Sequence, residues 1–146
     1  MIADEPITLH VAGVPAPQGS KKHVGGGRMV ESSRALKPWR KRVRDAAAAA
    51  AEVHGTIADP VHVDVLLVLP RPKRSKFTRP AGPPDLDKLQ RAVGDGLEAG
   101  GIIANDSRIV SWHATKAWSR SPGGATGAVI TISLAESADL SRWGHA

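Results

Sequence analysis

The sequence predicts an α+β fold: a single small domain over 1–146, with a mixed sheet of about four to five strands and two main helices. Two patterns point to it. Several short runs alternate apolar and polar residues with the period of a strand, and two longer runs repeat apolar residues at helical spacing. Clusters of Gly, Pro and Ser separate these runs, and neither an internal repeat nor a clear linker divides the chain. A length of 146 residues suits one core rather than two.

Taken in order, "ITLHVAGVP" at 7–15 alternates and ends in Gly-Val-Pro, which reads as a first strand. "APQGSKKHVGGGRMVES" at 16–32 sets a Gly triplet between short extended pieces and is expected to form a basic hairpin. Pro38 suits the first turn of a helix, which continues through "WRKRVRDAAAAAAEV" and stops at Gly55. Its alanine run has the highest helix propensity available and allows close packing. "VHVDVLLVL" places Val61, Val63, Val65, Leu67 and Leu69 on one face of a second strand. Residues 70–84 are too rich in proline for regular structure. A second helix is expected over Leu86–Ala99, with Leu86, Leu89, Val93 and Leu97 at helical spacing. Gly94 and Gly96 weaken it by about 1 kcal/mol each relative to Ala, and mark where another backbone can come close. "RIVSWHATKAW" and "GAVITISLA" then read as two strands around "SRSPGGAT", expected as an antiparallel hairpin.

Composition narrows the function. A hydrophobic share of 41% is too high for a disordered chain, and with one Phe and four Trp the core must rest on Val, Ile, Leu and Ala. The lack of cysteine excludes disulfides and thiolate metal sites and fits a reducing compartment. The opening residues lack the pattern of a signal peptide, and the longest apolar run, Val65–Leu69, is far too short to span a bilayer. A soluble intracellular protein without a membrane partner is expected. The formal net charge is +6, unevenly spread. Nine Lys/Arg face two acids between Lys21 and Asp45, and "RPKRSKFTR" at 71–79 adds five cations and no acid. From Asp85 to Asp106 the sign reverses, with five acids against Lys88 and Arg91. Such basic segments suit a polyanion, because each phosphate neutralised releases condensed counterions.

Which residues carry chemistry follows by elimination. The six histidines show no metal-ligand spacing, and Gly25–Gly27 lacks the Lys-Ser/Thr of a phosphate-binding loop. The aspartates remain. Asp85 or Asp87 can cap the second helix, and Asp87, Arg91 and Asp95, at i, i+4 and i+8, can form a salt-bridge ladder. A third reading joins Asp85, Asp87 and Asp106 around a cation. A 14-residue helix is about 21 Å long, and the seven residues from Ala99 to Asp106 reach at most about 25 Å when extended. Asp106 can therefore return to the start of the helix, provided the chain runs nearly straight. All-oxygen ligation suits Mg²⁺ or Mn²⁺, which can activate water and stabilise phosphoryl charge. An acidic centre between basic segments is the layout that a phosphodiesterase needs. No organic cofactor is implied.

At this point a family resemblance becomes visible. "PDLDKLQRAVGDGLEAGGIIANDSRIV" resembles the signature segment of the RusA family of Holliday junction resolvases, with its D-x-D pair, a basic residue four positions on, and an acidic pair before the next strand. "VAGVPAPQGSKK" and "LLVLPRPKRS" are similar to the family's first strand and turn and to its strand and basic loop. The resemblance implies a small homodimer that resolves four-way junction DNA by paired, symmetric, Mg²⁺-dependent hydrolysis, in the cytoplasm of a bacterial cell or phage-infected host. It implies that Asp85, Asp87 and Asp106 bind metal, with Arg91 beside the scissile phosphate. Lys21, Lys22, Arg28, Arg71, Lys73, Arg74, Lys76, Arg79 and Lys88 would hold DNA, and Phe77 would stack on bases at the junction or fold back on the protein. Three positions depart from the family pattern: Arg91 stands for the usual Lys, Lys88 for a common Asn, and Asn105 for the first acid of the pair. Asn105 keeps open the alternative of a non-catalytic or weakly selective DNA-binding protein with a vestigial metal site.

Overall fold

Alternation along Ile7–Ala12 turns Ile7, Leu9 and Val11 inward and leaves the intervening residues in solvent, forming strand β1. The structure, a computed structural model, describes residues 5–19 and 32–145. Residues 20–31 of the predicted hairpin over 16–32, with Lys21, Lys22 and Arg28, therefore lie outside the described residues.

Helix α1 spans Ser32–His54, so it begins before Pro38 rather than at it. Pro38 removes one donor from the hydrogen-bond ladder. Upstream, Leu36 packs against the core one turn before the buried Trp39, and that contact supports the extra turn. Gly55 ends the helix with φ of 76°, and its N–H bonds Ala51 O at 2.8 Å. Strand β2, Val61–Leu69, follows as expected. Helix α2 spans Leu86–Gly100 and is closed by left-handed Gly101, whose N–H reaches the carbonyls of Leu97 and Glu98. A 3-10 turn, Asp106–Arg108, leads into strand β3, Ile109–Trp118, and strand β4, Gly127–Leu134, completes the sheet.

The sheet order is β1-β4-β2-β3, which corrects the expected hairpin. Strand β3 pairs parallel with β2, and β4 runs antiparallel between β1 and β2. The reason lies in burial. Ile130 and Ile132 of β4 are wholly buried, so this strand takes a central place, while β3, which has no fully buried residue, goes to an edge. The turn over 119–126 carries the chain across the end of β2 to reach that place. At Gly127, φ is 155° and a side chain would overlap the carbonyl of Val11, so only glycine lets β4 start this close to β1.

Both helices cover one face of the sheet, burying Val43, Ala47, Leu89, Val93 and Leu97 against Val61, Val63, Val65, Ile130 and Ile132. The helices also touch each other along Gly96 and Gly100 of α2. No helix among the described residues is long and apolar enough to cross a membrane.

Candidate active site

The outer face of α2 presents Asp87, Gln90, Arg91 and Gly94, spaced i, i+3, i+4 and i+7, so they share one side of the helix. Opposite stand Asp106, Ile109 and Trp112 from the 3-10 turn and β3. Together these seven residues line an open cleft of about 250 Å³. Asp87, Arg91 and Asp106 are exposed, and Gly94 forms the floor. A methyl group on Gly94 would stand 3.9 Å from Asp106 Cβ, which puts Asp106 beside the middle of α2 rather than at its start.

The path of the chain explains that position. The segment after Gly101 does not run straight back along the helix. It first buries Ile102 and Ile103 completely, and Ile57 binds it from both sides: Ile57 N–H donates to Ile102 O and Ala104 N–H to Ile57 O, at 2.8 and 2.9 Å. Thr56 Oγ1 donates to Gly101 O at 2.7 Å, and Arg108 Nε to Ala58 O at 2.7 Å. Anchoring uses up the length that a straight return would need. Asn105 then caps the 3-10 turn, its Oδ1 accepting from Ser107 N–H at 2.9 Å, and Glu98 Oε1 accepts the Asp106 N–H at 2.8 Å. The capping oxygen of Asn105 is one that an aspartate would also supply, so this departure from the family pattern falls on a position that shapes the turn.

Asp85 stands outside the cleft lining. It occupies the N-cap of α2, yet its side chain makes no capping hydrogen bond; it pairs loosely with Lys88 at 3.7 Å and is 59% exposed. The capping reading therefore does not account for its carboxylate. The salt-bridge ladder does not form either, since Asp95 meets Arg40 at 4.0 Å and, among the described residues, Arg91 has no acid within 4.0 Å. Asp95 lies next to the cleft. Its burial first, and then the Asp106 carboxylate, push its pKa up from the usual value, against the lowering pull of Arg40 and Arg91.

Among the described residues, no three His, Cys, Asp or Glu stand close enough to share one metal ion. The cleft offers two carboxylates, Asp87 and Asp106. Hard oxygen donors in that number fit Mg²⁺, which commonly takes one or two carboxylates and completes its shell with water and substrate phosphate. They do not make a three-carboxylate cage.

The segment after β1 borders the cleft, and the basic loop precedes α2. The chain after β1 crosses α2, with Gln18 N–H donating to Lys88 O at 3.0 Å, and at Gly19 a side chain would stand 3.1 Å from Arg91 Nη1. The loop over 70–79 is exposed throughout, including Arg71, Lys73, Arg74, Lys76 and Arg79. Arg71 Nη1 binds Arg120 O at 2.9 Å, and Trp118 Nε1 binds Phe77 O at 3.2 Å, tying the loop to the end of β3. The Phe77 ring is 57% exposed and does not fold into the core. Lys116 Nζ donates to Gly82 O and Pro84 O, both at 3.0 Å, and so fixes the entry to α2.

Sequence reasoning missed Gln90, Glu98, Ile109, Trp112 and Lys116. Gly94 entered as a point of close backbone approach, but the atoms in front of it are side chains at 3.7 to 3.9 Å. Asp95 entered only as a rung of a ladder. Heptad spacing of Gly94 from Asp87 was the available signal for the cleft floor; nothing local marked Glu98 or Lys116, which act across the fold.

A protein-family model described as "Endodeoxyribonuclease RusA" matches residues 11–132. No curated protein gives a significant match to the chain.

Proposed function

Because the chain belongs to the RusA endodeoxyribonuclease family, we propose that it is a Mg²⁺-dependent endonuclease that resolves four-way DNA junctions in recombination and repair. One observation carries this reading: Asp87, Arg91 and Asp106 line a single open cleft, and an exposed basic loop precedes the helix that carries the first two. Asp87 and Asp106 would hold Mg²⁺, or Mn²⁺ in its place, and Asp85 stands at the helix entrance as a third acid. The ion, when bound, lowers the pKa of a water and offsets charge developing on the phosphate.

The remaining work falls to the protein's own groups. Arg91 is exposed and lines the cleft, so its guanidinium can grip the scissile phosphate through two parallel hydrogen bonds, which a lysine cannot do. Glu98 and Asn105 hold the turn that presents Asp106. Lys73, Arg74, Lys76 and Arg79 would take backbone phosphates, with Lys21, Lys22, Arg28 and Lys88 as further contacts, and the exposed Phe77 would stack on an unpaired base. Arg71 is already tied to Arg120, so its role in DNA binding is smaller. A junction with two-fold symmetry needs two such clefts for paired cuts, which calls for a homodimer. A bacterial or phage setting goes with this activity.

The deciding experiment is a Mg²⁺ titration on a labelled four-way junction beside a linear duplex of matching sequence, with Asp87→Asn as control. Metal-dependent, paired nicking of the junction by the parent chain, lost in the variant, is expected. Binding without cleavage at any Mg²⁺ or Mn²⁺ concentration would overturn the enzyme reading. Equal cutting of both substrates would retain the nuclease and remove the junction selectivity.

A further inference from the structure

A second depression, of about 510 Å³, lies between the two helices and is lined by Lys37, Arg40, Lys41, Arg44, Asp95 and Ala99. The four cations stand at i, i+3, i+4 and i+7 on α1, a continuous stripe beside the face that buries Trp39, Val43 and Ala47. Lys37 with Lys41, and Arg40 with Arg44, are like charges four residues apart, an arrangement that weakens a helix by a few tenths of a kcal/mol per pair. Helix stability does not explain such a stripe.

Only part of this charge is answered within the fold. Asp45 pairs with Lys41 at 2.8 Å and more distantly with Arg44 at 3.6 Å, and Asp95 meets Arg40 at 4.0 Å. Gln18 Oε1 also accepts from Arg40 Nη1 at 2.9 Å, which fixes this arginine toward α2. Among the described residues, the stripe therefore keeps a net excess of two positive charges, four cations less Asp45 and Asp95. Its position matters as much. Asp95 forms one wall of the groove and its chain neighbour Gly94 lines the cleft, so groove and cleft lie on adjoining sides of α2.

We propose that this groove binds the phosphate backbone of nucleic acid, taking up the strand that continues past the cleft. From Lys37 to Arg44 the helix advances about 10 Å, enough for about three phosphates of one strand. This deepens the reading that DNA occupies the cleft and rests on it for direction, but the chemistry of the groove, a row of cations with no base-reading geometry, calls for backbone contacts alone.

The test separates the two claims. Binding of a fluorescent duplex and a four-way junction is followed by anisotropy in EDTA, so that cleavage plays no part, across a series of salt concentrations. The Lys37→Gln/Arg44→Gln double variant is compared with Arg42→Gln/Arg142→Gln, which removes the same charge at exposed positions outside the groove and the basic loop. The groove variant is expected to lose affinity about tenfold and to lower the salt slope by about two, with a change of less than about threefold in the control. Unchanged binding, an equal loss in the control, or no salt-dependent binding by the parent chain each overturns the groove. A reduced slope in a protein that never cuts DNA keeps the groove and discards the nuclease; intact cleavage with an unchanged slope does the reverse.

Discussion

Helix α2 carries glycine on two faces, and the space in front of each differs. On the face turned to α1, a methyl group on Gly96 would stand 2.6 Å from Val43 Cγ1, and one on Gly100 would overlap the carbonyl of Arg44 and crowd Ala47 Cβ at 2.5 Å. On the face turned to the cleft, a methyl group on Gly94 would meet Ile109, Trp112 and Asp106 only at 3.7 to 3.9 Å, ordinary contact distances. The first pair of glycines lets two helix backbones touch. The other keeps a floor open beside two carboxylates. One helix thus separates stability from chemistry by face, and substitutions on the two faces should have separable effects.

The largest separation should come from the acids. If both acids hold the catalytic ion as proposed, Asp106→Asn or Asp87→Asn cuts junction cleavage at least about a hundredfold, since removing such a ligand costs several kcal/mol of transition-state stabilisation. Both side chains are exposed, so thermal melting should stay within a degree or two of the parent. Next comes the packing face. Gly100→Ala meets backbone atoms of α1, which cannot give way, and should destabilise the fold by about 2 kcal/mol, read as a drop of several degrees in Tm. Its cleavage rate at a temperature where the protein stays folded should remain near the parent's. Gly94→Ala is the sharpest contrast. It removes a helix-weakening glycine without a clash, so Tm should hold or rise, while the methyl group beside Asp106 lowers cleavage about tenfold. Loss of both properties in Gly94→Ala would break the division between the faces.

These faces were unequally legible in the sequence. The packing face followed from periodicity: of Leu86, Leu89, Val93 and Leu97, the last three are wholly buried and Leu86 is half-buried against the core, and the helix limits differ from expectation by one residue. Strand β2 was equally plain, because every second residue from Val61 to Leu69 is apolar. Sheet order was not plain. A hairpin between the last two strands is the local solution, but β4 gains more by pairing on both sides in the centre, and that choice depends on β1, more than a hundred residues away in the chain. Pro38 misled for a related reason, since the contact that supports the turn before it, Leu36 on the core, is tertiary. For the cleft, the charge pattern brought out Asp85, Asp87 and Asp106, the family resemblance added Arg91, and chain length alone allowed the acids to meet at the helix start. Length could not show that Ile102 and Ile103 would be spent on the core, and this is what sets Asp106 beside Gly94.

Asp95 sits on the border between the two faces and gives the smallest effect. Its pKa is raised, chiefly by burial and then by Asp106, so its charged form is on balance disfavoured in the fold. An acid with a raised folded pKa binds its proton more tightly when folded. It therefore lowers stability as pH rises from its unfolded value, near 3.8, through the folded one, and the deficit persists at neutral pH. Asp95→Asn should remove that deficit and lose the Arg40 contact, which at 4.0 Å between partly exposed groups contributes little. The net gain at pH 7 should be less than about 0.5 kcal/mol, seen as a small rise in the urea midpoint. Near pH 3 the aspartate is protonated in both states and the gain should vanish. A gain that persisted unchanged at pH 3 would mean that Asp95 acts through packing against α1, and the border between the faces would then belong to the packing side.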